Sequence, residues 1–220
     1  MSSGPPVDPG ADTDQQAELA DVVRAAKPRL RGWLHAGATP VALAAGIVLI
    51  VLAPTDRGKL GGAIFLAASV MLYGTSGLYH RLAWGDRGEA VLRRMDHANI
   101  YVFIAATYTP FALMMLDGRS RATLLILIWG AALAGLLFRL FWLAAPRWLY
   151  TVLYLAMGWA AVGWFGEFYR SGGLAVLLLI LLGGLFYTSG AIVYGLKRPD
   201  PSPRWFGFHE IFHACTLAAF

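Results

Sequence analysis

Seven runs of apolar residues, at roughly 33–54, 60–82, 96–116, 122–138, 148–168, 173–196 and 205 onward, constrain this chain more than any other feature. A bilayer core is about 30 Å thick, and a helix needs about 17–25 apolar residues to cross it. The first six runs reach that length. The seventh has too few residues between Trp205 and Phe220 and no basic anchor after them. It reads as a last helix that stops short of the far surface, or as a chain without its natural C-terminus. Backbone groups inside lipid must bond to one another, so each run is expected to be a helix. The expected fold is all-α: a polytopic membrane protein, a seven-transmembrane-helix bundle over residues 33–220. Charged residues make up only 14% of the chain, against about 25% in soluble domains, which excludes an ordinary soluble globule.

Residues 1–32 read differently. They are polar, rich in Gly, Pro and Asp, and open Met-Ser-Ser-Gly-Pro-Pro-Val-Asp-Pro without an early apolar core. That pattern predicts no cleavable signal, a partly disordered tail, and a short surface helix near 15–26. The first membrane helix then serves as an uncleaved anchor. The single cysteine, Cys215, permits no disulfide within the chain.

Basic residues fall unevenly between the runs. One side carries Arg24, Lys27, Arg29 and Arg31, then Arg81, Arg87, Arg93 and Arg94, then Arg139 and Arg147, then Lys197, Arg198 and Arg204. The other carries Arg57, Lys59, Arg119, Arg121 and Arg170. The positive-inside rule makes the first side cytoplasmic, with the N-terminus there, in a cell's plasma membrane. The net charge of +5 is a topology signal in short loops and implies no nucleic-acid partner. The partners implied are membrane lipids.

This orientation gives the histidines meaning. His209 and His213 are four apart, about 6 Å along a helix and on one face. His80 closes the second run at the same membrane depth. Asp96 and His97 are expected in the first turn of the third helix. Ionisable groups at membrane depth are costly and face interior cavities. Three imidazoles and an open position make a catalytic zinc site, in which Zn2+ activates a water and polarises a carbonyl. Asp96 is placed to take the water's proton. Ser76, one turn before His80, is placed to orient the water or meet an oxyanion. The plainer alternatives are packed histidines and a serine bonded back to its own helix.

His209-Glu-Ile-Phe-His213 also fits the H-E-x-x-H pattern of zinc proteases, with Glu210 as the base. An intramembrane protease is the form of that reading open to this chain, although Glu210 is expected to turn toward the interface. His35, close to the start of the first helix, could join the site, but the snorkelling interfacial reading is preferred; His97 is expected to point away from the cluster, and Glu167 to be interfacial. Pro110 is expected to kink the third helix and widen a cavity. Trp33, Trp84, Trp142, Trp148 and Trp205 fall near run ends, as an aromatic belt requires.

Three stretches resemble the signatures of the hemolysin III family: Ser76-Gly-Leu-Tyr-His80, Met95-Asp96-His-Ala-Asn-Ile100 with Ala106-Thr-Tyr-Thr-Pro110, and His209-Glu-Ile-Phe-His213. That family belongs with the adiponectin and progestin receptors and, more distantly, the alkaline ceramidases. The resemblance covers about residues 29–220. It implies a cytoplasm-proximal zinc held by His80, His209 and His213, with Asp96 and Ser76 around its water. Leu34 stands before His35 where the family often has Ser or Thr. The substrate does not carry over. Three functions follow as expectations: hydrolysis of a lipid amide or ester, as in ceramidases; a non-enzymatic membrane-homeostasis or receptor-like role with structural zinc; or a pore-forming cytolysin.

Overall fold

The computed structural model describes residues 28–202 and 204–220. The expected disordered start and the surface helix near 15–26 lie outside those residues. Among the described residues there are helices and no strand. They are α1 (Trp33–Leu52), α2 (Asp56–Arg81), α3 (Asp86–Met115), α4 (Gly118–Phe141), α5 (Arg147–Gly158), α6 (Phe165–Leu196) and α7 (Phe208–Ala219), with a 3-10 turn (Trp159–Trp164) joining α5 to α6. The chain is an all-α polytopic membrane protein. Among the described residues, five continuous helical stretches are long and apolar enough to cross a bilayer, the last of them the 50 residues Arg147–Leu196.

A straight helix of that length would run about 75 Å, more than twice the bilayer core. Gly173 breaks it with φ 71 and ψ −173, a conformation that favours glycine. Contacts across the break show that the stretch doubles back. Arg147 Nη1 donates to the Tyr194 carbonyl at 3.4 Å. Trp159 Nε1 donates to Thr188 Oγ1 at 3.0 Å. Both pairs are centred near residue 173, so the fifth and sixth expected spans form a hairpin. Where the fifth span changes from α to 3-10, carbonyls lose their helical partners. Tyr108 Oη from α3 donates to the Met157 and Gly158 carbonyls at 2.8 and 2.5 Å and accepts from the Ala161 amide at 3.1 Å.

Helix α3 is the spine. Tyr101, Ala105, Tyr108 and Ala112 recur at helical spacing and pack on Leu124, Ile128 and Ala132 of α4 and on Met157, Ala161 and Phe168. Phe103 and Ala106 face the other way, toward Ala42 of α1 and Ala68, Leu72 and Tyr73 of α2. By contrast, α1 buries little beyond His35, Ala42 and Gly46. Its exposed Val41, Val51 and Leu52 form an apolar face suited to lipid.

One expectation changes. Helix α3 begins at Asp86, not near Asp96, because hydropathy marks the membrane-embedded part of a helix and not its start. Asp86 and Glu89 occupy the first turn, where acidic groups favour the helix dipole. Asp96 therefore lies well inside the helix. Helix α3 also runs unbroken through Pro110 to Met115. Pro110 meets α2, where a Cβ on Gly61 would stand 2.7 Å from its Cα. It does not line the large cavity described below.

Candidate metal centre

The i,i+4 spacing on α7 puts His209 and His213 on one face, their ring centroids 4.5 Å apart. The last turn of α2 brings His80 to them, at 5.0 Å from His209 and 5.7 Å from His213. One nitrogen from each ring lies within 4.8 Å of the other two. Asp96 Oδ2 of α3 is 3.8 Å from His80 Nε2, and Asp96 is buried. Ser76 is buried beside the Asp96 carboxyl, its hydroxyl without a hydrogen-bond partner of good geometry among the described residues. The sequence-predicted His80, Asp96, Ser76, His209 and His213 are thus brought together.

The donor set fits zinc. Tetrahedral Zn–N bonds of about 2.0–2.1 Å place ligand nitrogens about 3.3 Å apart, so the rings need to close by only about 1.5 Å. His209 Nε2 is buried without a hydrogen-bond partner among the described residues, as a nitrogen reserved for a metal would be. Three protein ligands leave a fourth position, and the site opens into a cavity of about 490 Å³. His35, Ser76, Asp96, His209 and His213 line one end of it, and Phe111, Phe168 and Leu179 the other. From Asp96 to Phe111 on α3 it extends over about 22 Å at 1.5 Å per residue.

His97 faces elsewhere, as expected. Its Nδ1 donates to the Arg93 carbonyl at 2.8 Å, and its ring lies 6.2 Å from Tyr150 of α5. Glu167 accepts from Ser120 Oγ at 2.6 Å.

Glu210 and His35 depart from expectation. Glu210 is only 1% exposed. One oxygen accepts from Arg31 Nε at 2.5 Å, the other from the Gly207 amide at 2.8 Å. It caps α7 and pins the segment before α1 to it. Both carboxylate oxygens are thus engaged, one by a guanidinium and one by a helix-capping amide, an arrangement that suits a cap and tie better than a protease-type base. Replacing it with Gln keeps an acceptor for Gly207 and loses the charge-assisted bond. Glu210→Gln is expected to lower stability by about 2 kcal/mol, read as a lower unfolding midpoint by circular dichroism in detergent. An unchanged midpoint would discount the pair.

His35 does not snorkel. It is 3% exposed and packs on His213. The apolar start of α1 hid this, because only the contact with α7 distinguishes a buried from an interfacial histidine. Asn99 was missed as well. Its Nδ2 donates to Thr75 Oγ1 at 3.2 Å and bridges α3 to α2 beside the site. The available signal was a polar residue one turn after Asp96 in an apolar run.

Helices that cross a bilayer and gather three histidines and an aspartate at one end of an apolar cavity define a class of multi-pass membrane protein with a candidate intramembrane metal centre. The sequence pattern described as Haemolysin-III related matches residues 23–220, and the chain belongs to that family. It is 37% identical over 146 residues to the hemolysin-3 homolog of Bacillus subtilis (strain 168), covering 66% of this chain and 68% of that one. It is 32% identical over 151 residues to hemolysin-3 of Bacillus cereus, covering 67% and 68%. No solved structure matches the chain.

Proposed function

We propose that this protein is a zinc-dependent hydrolase that cleaves a lipid amide or ester inside the membrane. The observation that carries this reading is a three-histidine cluster at the end of a long apolar cavity, with an aspartate 3.8 Å from one of the three. His80, His209 and His213 would hold the zinc. When bound, zinc lowers the pKa of a water toward ~7 and acts as a Lewis acid on a carbonyl. Asp96 offers a carboxylate oxygen as proton acceptor at the cavity end. The Ser76 hydroxyl, beside the Asp96 carboxyl at the same cavity end, is a donor suited to an oxygen that gains charge. Ile100, Phe103 and Tyr187 line the cavity and would hold an acyl chain while excluding water. A closed structural site would use four protein ligands, and here three are gathered.

The name of the Bacillus cereus relative, hemolysin-3, supports a second reading, a cytolysin. Against it stands the largely apolar lining of the cavity, since an aqueous pore needs a polar one. The deciding measurement uses one preparation in defined liposomes, with lipid-amide and lipid-ester cleavage followed beside dye leakage, before and after chelation. Cleavage that stops on chelation is the expected result. Leakage without cleavage would replace the hydrolase by the cytolysin.

The orientation belongs to the same proposal. The basic residues Arg81, Arg87, Arg93 and Arg94 at the facing ends of α2 and α3, with those of the N-terminal segment, support a cytoplasmic position for both and a cluster toward the inner leaflet of the plasma membrane. A reporter fused after Arg87 is expected to read as cytoplasmic, and an external signal would reverse the assignment.

A further inference from the structure

The segment that opens α1 touches both ligating helices. Gly32 has φ 81, and a Cβ there would stand 2.6 Å from His80 Cβ on α2. Arg31 holds Glu210 of α7. One turn further on, the His35 ring lies flat on the His213 ring, with centroids 3.7 Å apart and planes 10° from parallel. His35 Nε2 is 3.3 Å from Thr216 Oγ1. The Thr216 hydroxyl donates its one proton to the His213 carbonyl at 2.7 Å. Its oxygen is therefore the acceptor toward His35, and His35 carries its proton on Nε2. His35 is not one of the three residues whose nitrogens gather within 4.8 Å of one another.

We propose that His35 is a positioning residue for the metal centre. It fixes the His213 imidazole in its ligating orientation, by stacking on one face and by bonding the threonine that bonds the His213 carbonyl. It does not ligate. This rests on the reading of His80, His209 and His213 as a metal site. The physical need is plain: an imidazole lone pair is directional, and the three rings still have to close by about 1.5 Å to reach zinc spacing. A ring free to rotate would lose that geometry. Partners that orient a ligating histidine are typically worth 10–100-fold in metal affinity.

The test uses the full chain in detergent, with zinc affinity measured by chelator competition and the absorption spectrum of the cobalt(II)-loaded protein. His35→Ala is expected to weaken zinc binding 10–100-fold and to alter the cobalt bands at saturating metal. His35→Phe keeps a stacked ring and is expected to recover part of the affinity. Thr216→Val removes the acceptor and is expected to weaken binding by a smaller factor. His35→Ala with wild-type affinity and spectrum overturns the proposal. So does a variant with a lower melting temperature and both metal readouts unchanged, the mark of a merely structural histidine. If His35→Ala does not fold, unchanged affinity in both His35→Phe and Thr216→Val overturns it. His80→Ala separates the two levels. If it keeps wild-type affinity, the metal site itself is wrong and the proposal falls with it. If it loses the metal while the His35 variants do not, only the positioning role is refuted.

Discussion

Purified protein is expected to hold about one zinc per chain, and alanine at His80, His209 or His213 to remove most of it. Complete four-ligand zinc sites bind with apparent free energies of about 10–16 kcal/mol. Spread over the four ligands, each is worth roughly 2.5–4 kcal/mol, a loss of about 60- to 700-fold in affinity. The geometry makes the three positions equivalent in kind, since one nitrogen of each lies within 4.8 Å of the others. His97 is the control. It sits next to Asp96 in the sequence, yet its ring bonds the Arg93 carbonyl and faces α5, so His97→Ala is expected to keep its zinc. Metal analysis of the four variants beside the wild type makes the comparison. Equal zinc in all of them would dismiss the site.

Asp96→Asn is expected to retain most of the zinc and lose most of the turnover, by 10–100-fold or more. Asp96 Oδ2 lies 3.8 Å from His80 Nε2, close enough to tune the cluster and outside the three-nitrogen set. Asparagine keeps the size and one acceptor oxygen and removes the proton acceptor. Groups that orient or serve a metal's ligands typically contribute 10–100-fold. The readout is release of the cleaved lipid from defined membranes, with zinc content measured on the same samples. Unchanged turnover with zinc still bound would take Asp96 out of the mechanism. A structural zinc predicts that folding tracks metal occupancy alone, and a pore predicts leakage that survives both the substitution and chelation.

Much of the candidate site could be read in the sequence because its pieces are locally periodic. His209 and His213 are separated by one helical turn, as are Ser76 and His80, and each pair shares a face whatever the rest of the chain does. The features read wrongly or missed depend on neighbours that are distant in the chain. Glu210 looks interfacial until Arg31 and the Gly207 amide hold its oxygens in the interior. His35 looks interfacial until α7 covers it. The start of α3 was misplaced by ten residues because the hydropathy change marks the membrane surface, and a helix can extend through that surface into water.

What the sequence by itself determined is the number and length of the apolar runs and the residue types at one membrane depth. Lipid leaves the backbone no option but helices, so run length alone forces the architecture. Family membership was equally open to it, through three short motifs on three separate runs. What only the tertiary structure decided is which faces meet. It folds the 50-residue stretch Arg147–Leu196 back at Gly173, brings α2 against α7 so that His80 reaches the histidine pair, and turns the opening of α1 onto both. The physical reason is that helix formation is set by neighbours in sequence, whereas helix pairing is set by the shapes of complete side-chain surfaces. Those surfaces exist only once every helix has formed and packed.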